Sequence, residues 1–155
     1  MLYLAIVSLI WAFSFGIIGS LLTGVDSFLV ATLRLASASL VFLPFLRPKA
    51  IQGSDSFRLF FYGFIQFGLM YVCYMKAYQY LPSHLIALFS IFTPIYVVLI
   101  NDIRKQQFSA RYLIAALLSV FGAAIIKVKG LPSGDFWLGF ILMQIAGIAF
   151  AFGQI

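Results

Sequence analysis

Leu2–Leu22, LYLAIVSLIWAFSFGIIGSLL, runs for twenty-one residues without a charge. At 1.5 Å per helical residue such a run crosses about 30 Å, the thickness of a bilayer's hydrocarbon core. Lipid offers no partner for a bare N–H or C=O, so a chain crosses it as a helix or a closed barrel. This run is twice the length of a barrel strand and lacks its alternation, which leaves the helix. Met1-Leu2-Tyr3-Leu4 carries no basic residue, and the apolar run is longer than a signal-peptide core, so the segment is expected to be retained as a membrane helix.

Working outward, the other residues repeat the pattern. The 155-residue chain is 64% hydrophobic and 9% charged, with a mean hydropathy of +1.10, where a soluble domain is roughly half apolar and a quarter charged. Charges and turn formers divide it into six expected spans: Leu2–Leu22, Phe28–Leu46, Leu59–Tyr78, Ser83–Ile100, Phe108–Ile126 and Phe136–Ile155. Between them lie Thr23-Gly24-Val25-Asp26, Gln52-Gly53-Ser54-Asp55, Leu81-Pro82 and Gly130-Leu131-Pro132-Ser133-Gly134, which favour turns. The fold class is therefore an all-α membrane protein with about six transmembrane helices, and the lipid bilayer is its first partner.

The formal net charge is +6, but the basic residues stand singly or in pairs between apolar runs and form no nucleic-acid-binding patch. They carry topology instead, because Lys and Arg are enriched on the cytoplasmic side. Arg47, Lys49 and Arg58 follow the second span, and Arg104, Lys105 and Arg111 follow the fourth. Lys127 and Lys129 fall on the opposite side. The balance predicts a cytoplasmic N-terminus. The single cysteine, Cys73, excludes an internal disulfide and any CxxC metal site.

Small residues recur at helical spacing: Ser8, Ala12, Gly16 and Ser20 in span one, Ala115, Ser119 and Ala123 in span five, and Gly147 with Ala151 in span six. In lipid such stripes allow backbones to approach closely. One short motif returns: Ala12-Phe13-Ser14-Phe15-Gly16 in span one and Ala149-Phe150-Ala151-Phe152-Gly153 in span six. A second copy opening after five helices would run in the opposite orientation, the inverted-repeat plan of many secondary transporters. On that plan the chain is expected to be truncated, with roughly four more helices needed to complete the second copy.

Span one, with Ile10-Trp11-Ala12-Phe13-Ser14-Phe15, resembles the opening Trp-Gly-Ser/Ala-x-Phe helix of EamA-type transporters of the drug/metabolite transporter superfamily. Asp26-Ser27-Phe28, Leu33-Arg34-Leu35 and Leu43-Pro44 are similar to their second helix. Ala77-Tyr78-Gln79-Tyr80-Leu81-Pro82-Ser83, leading through Leu88-Phe89-Ser90 to Thr93-Pro94-Ile95, resembles their passage from helix three to helix four. Ala12 stands where the family often has Gly. The resemblance implies a ten-helix fold of two inverted five-helix repeats around a central substrate cavity, exporting metabolites, amino acids or drugs. Residues 1–129 would form the first repeat, and 130–155 the connection and first helix of an incomplete second.

Several residues could carry function. Arg34 lies about six residues, or some 9 Å, below the outer end of span two, where an Arg costs roughly 2.5–3.5 kcal/mol to insert. It could hold a substrate carboxylate bidentately, or clasp backbone carbonyls or Asp26. Lys76 near the end of span three either snorkels to the headgroups or joins Arg34 in an electropositive vestibule. Trp11, Phe15, Tyr71 and Tyr74 could line an aromatic pocket or simply pack. Pro94 predicts a kink in span four that frees the carbonyl near Ser90, as a hinge or a binding group. Gln66 and Gln144 are mid-span amides suited to joining helices, and His84 falls at a boundary.

The acids Asp26, Asp55, Asp102 and Asp135 all fall at span ends or in connections, and Glu is absent. This segment therefore supplies no membrane-embedded carboxylate for proton coupling. It departs in this from the small four-helix multidrug exporters, which rely on a Glu in their first helix. Hydrolytic or metal chemistry needs converging His, carboxylates or an activated nucleophile, so an intramembrane enzyme ranks last and no metal or cofactor is expected. A secondary transporter for a small-molecule substrate in the bacterial inner membrane ranks first. A membrane scaffold or assembly subunit, or an inactive fragment, is the alternative. A homo-oligomer, or pairing with a missing second half, would complete the cavity.

Overall fold

The computed structural model describes residues 2–21, 24–46, 53–124 and 134–154, and within them the only regular structure is helical. The helices are α1 (Leu2–Leu21), α2 (Ser27–Phe42), α3 (Gly53–Gly63), α4 (Met70–Ala77), α5 (Ser83–Ser90), α6 (Thr93–Lys105), α7 (Ala110–Ala124) and α8 (Phe136–Phe152). A π-helical stretch, Phe64–Leu69, joins α3 to α4. Four segments are long and apolar enough to cross a membrane: Leu2–Ser20, Ser27–Phe45, Asp55–Ala77 and Ser83–Lys105. The described parts of the expected fifth and sixth spans, Ala110–Gly122 and Phe136–Phe152, are shorter apolar helices. Arg47, Lys49, Lys127, Lys129 and the Gly130–Ser133 turn, used above for topology, lie outside the described residues.

The chain's punctuation follows from local chemistry. Asp26 caps α2, its Oδ1 accepting from the amides of Phe28 at 2.7 Å and Leu29 at 3.1 Å, which satisfies two of the orphan donors of a helix start. At the other end, Pro44 sits in a 3-10 turn, Leu43–Phe45, that closes the helix. Span four breaks as Pro94 requires: α5 ends at Ser90 and α6 starts at Thr93 with the proline in its first turn. The amides of Ile91 and Phe92 fall back to the carbonyls of Leu88 and Phe89, each at 3.2 Å. At the far end of α6, Gln106 adopts a left-handed cap with φ 49°. There the buried Asp102 accepts from the Ser109 amide through Oδ2 at 2.8 Å and fixes the turn into α7.

The packing centre is α4 with α5, α6 and α8. Helix α8 lies against α4, α5, α6 and the π stretch, while α1 packs on α5 and α2 on α4. One apolar cluster joins Ala77, Leu81, Leu85, Ile86 and Met143. A second joins Ile18, Ala31 and Met75, with Tyr71, Tyr74 and Tyr78 packed against it. Most other large apolar side chains are exposed, as expected where lipid replaces water.

The small-residue stripes divide. Gly147 and Ala151 of α8 are packed, and a Cβ on Gly147 would meet the Tyr96 ring at 3.1 Å. By contrast Ser8, Ala12, Gly16 and Ser20 of α1, and Ala115 and Ser119 of α7, are exposed. The close approach of α1 to α5 falls instead at Gly19, where a Cβ would run into Ser83.

Candidate solute-binding site

Helical spacing places Tyr71, Tyr74 and Tyr78 along one side of α4 and the turn after it. Their rings meet edge to face, Tyr71 with Tyr74 at 6.3 Å and Tyr74 with Tyr78 at 5.4 Å between centroids. The Tyr74 and Tyr78 hydroxyls share a hydrogen bond of 3.0 Å. Phe15 of α1 closes on Tyr74 at 6.2 Å. This ladder ends at Arg34 of α2, whose guanidinium carbon lies 5.9 Å from the centre of the Tyr71 ring. A cation over a tyrosine face is stabilised by about 0.5–1 kcal/mol when exposed and more when desolvated.

Arg34 also lines an open cleft of about 520 Å³, whose other walls are α1 residues including Ile6, Ile10, Phe13, Ser14 and Ile17. No described carboxylate pairs with it. Asp26, the partner considered from sequence, instead gives Oδ1 to the α2 cap. Arg34 thus stands between a ring stack and a cleft whose remaining lining is almost wholly apolar. A planar fork of donors in such surroundings suits a carboxylate on an otherwise apolar solute.

The other residues singled out in the sequence separate from this group. Trp11 is 57% exposed and does not line the cleft. Lys76 is half-buried in the last turn of α4. Ser90 closes α5, its hydroxyl donating to the Ala87 carbonyl at 2.7 Å, and with Pro94 it marks the break in span four. His84 is exposed. Among the described residues no group of three or more His, Cys, Asp or Glu side chains could hold a metal ion, and Cys73 is a buried free thiol.

Sequence reasoning passed over Tyr78 and the Ser27–Gln79 bond, and marked Gln144 as a helix-joining amide without naming its partner. Tyr78 was legible as the next member of the 71, 74, 78 series. The buried Ser27 accepts from Gln79 Nε2 at 3.1 Å, tying the start of α2 to the turn after α4. The Tyr96 hydroxyl donates a short hydrogen bond to Gln144 Oε1, joining α6 to α8. Both bonds cross about fifty residues of sequence, and no local pattern names either pairing.

The chain is 40% identical over 156 residues to the probable biotin transporter of Pseudomonas aeruginosa, covering all of this chain and 54% of that protein. It is 38% identical over 157 residues to the biotin transporter of Salmonella typhimurium and 39% identical over 157 residues to that of Escherichia coli K12, covering 52% of each. It therefore spans about half the length of the curated relatives it matches. No solved structure matches it. Residues 1–128, from α1 through the described end of α7, match the EamA-like transporter family; this integral membrane chain belongs to that family.

Proposed function

We propose that this chain forms the first five-helix repeat, residues 1–129, and the opening of the second, 130–155, of a secondary transporter that carries a biotin-like carboxylate by alternating access. The observation that carries the reading is Arg34, held over the Tyr71 ring and lining an apolar cleft, with no carboxylate partner among the described residues. A charge at that depth is retained where it faces a cavity or pathway. The relatives named as biotin transporters support the solute, since biotin joins a carboxylate to an apolar tail and a fused ring. In this reading Arg34 takes the carboxylate, and Tyr71 and Tyr74 hold the guanidinium in place. Trp11 and Lys76 lie at the edges of the pathway, and Ser90 with Pro94 marks the hinge. About four further helices complete the second repeat, which pairs with the first to make ten helices in the bacterial inner membrane, the N-terminus facing the cytoplasm. Export is the direction the family resemblance implied, and preloaded vesicles read it against uptake.

Binding to the purified protein carrying this chain tests the role of Arg34. Arg34→Ala is expected to weaken biotin by about 10- to 100-fold, the equivalent of a charge-assisted hydrogen bond, and to leave the uncharged amide of biotin within about 3-fold. Equal losses for both ligands would refute a carboxylate contact and leave Arg34 a structural group.

A further inference from the structure

We infer that Gln144, on α8, is a second solute contact: its Nε2 donates to a carbonyl on the solute and so sets selectivity among carboxylates of similar length. This rests on the transporter reading above. Tyr96 has a hydroxyl proton to give and takes Gln144 Oε1, while Nε2 is buried without a hydrogen-bond partner. An unmet N–H inside a membrane protein costs several kcal/mol, more than helix joining requires, because the Tyr96 bond already supplies that. The position fits a binding role on three further counts.

Gln144 lies near the middle of α8 (Phe136–Phe152), the helix that opens the expected second repeat, and it faces α6 of the first. Beside it span four is broken, and Pro94 has no N–H to give to the Ser90 carbonyl. Transporter sites gather near the midplane, between repeats, at such interrupted helices. Finally, Gly147, one turn along α8 from Gln144, brings α8 against both Tyr96 and Thr93 of the broken span, with Thr93 Oγ1 3.5 Å from a Cβ placed there. In the conformation described, the donor is closed off between α6 and α8. The break at Ile91–Phe92 lets α6 swing from α8 and opens it to the solute.

A pair of ligands isolates this contact. Biotin and lipoate both carry a pentanoate tail, but only biotin has a ureido carbonyl. In proteoliposomes of the protein carrying this chain, the apparent KM for biotin should rise about 3- to 10-fold in Gln144→Met, the range of one hydrogen bond. Lipoate should change by less than about 2-fold. Tyr96→Phe removes the interhelical bond and keeps the Gln144 donor, and it should preserve the preference for biotin. The unmutated protein provides a reading that needs no variant: lipoate should be the poorer solute by a similar factor. Equal KM values for the two solutes in the unmutated protein, or an unchanged preference in Gln144→Met, would overturn this inference and leave the Arg34 contact standing. Failure of the unmutated protein to move biotin at all would overturn the solute assignment and this inference with it.

Discussion

Gly139 offers the sharpest test of how α8 docks. It is buried, and a Cβ built on it would sit 2.6 Å from Leu81 Cγ, 2.9 Å from Tyr80 Cβ and 3.0 Å from Leu81 Cδ1. Tyr80 and Leu81 belong to the turn between α4 and α5, where the Leu81 amide is tied to the Ala77 carbonyl at 2.9 Å, so neither neighbour can retreat cheaply. Relief requires a shift of several tenths of an ångström between α8 and that turn. Overpacking of this kind costs about 1–3 kcal/mol, against which Ala gains about 1 kcal/mol over Gly in a helix interior. Gly139→Ala should therefore lose up to about 2 kcal/mol of stability. Gly122 of α7 has nothing within 4 Å of its Cβ position, so Gly122→Ala should keep the propensity gain and be neutral or stabilising by up to about 1 kcal/mol. Thermal unfolding in detergent micelles, with both variants measured side by side, separates them. Gly139→Ala as stable as Gly122→Ala would refute the close approach of α8 to the α4–α5 turn.

Three further outcomes follow from the same contacts. Ser27→Ala and Gln79→Ala should each destabilise by about 1 kcal/mol, and their double-mutant cycle should show a coupling of about 0.5–1.5 kcal/mol; additive losses would mean the Ser27–Gln79 bond does not form. Asp26→Ala should cost about 1 kcal/mol through loss of the α2 cap, and Asp26→Ser should recover most of it, again read by thermal unfolding. Asp102→Ala should cost about 1.5–3 kcal/mol by leaving the Ser109 amide without its acceptor, while Asp102→Asn, which keeps a carbonyl oxygen there, should cost less.

The membrane architecture was readable because lipid leaves the chain so few choices. A charge-free run of Leu2–Leu22 length has only the helix open to it, Asp26 before Ser27 announces a cap, and Pro94 removes a hydrogen bond wherever it falls. Arg34 stood out in the sequence as a charge costly to place in a membrane helix, and Tyr71 and Tyr74 as aromatic neighbours at helical spacing. Their meeting over one ring depends on how α2 packs on α4, which no local pattern records. The glycines teach the same lesson. Gly16 and Gly19 are alike in sequence terms, yet only Gly19 meets another helix. A row of small residues states that a face is smooth, whereas what covers it is decided by the rest of the bundle. The π-helical stretch at Phe64–Leu69 was equally silent: its extra residue per turn gives no periodic signal within six positions.

The central claim is that this chain belongs to a carrier of a biotin-like carboxylate, and solute flux tests it most directly. The protein carrying this chain, purified and reconstituted, should trap labelled biotin in vesicles faster than protein-free vesicles do, with saturation at rising concentration and displacement by unlabelled biotin. Label entering at the same rate with and without protein, rising linearly with concentration, would contradict the account.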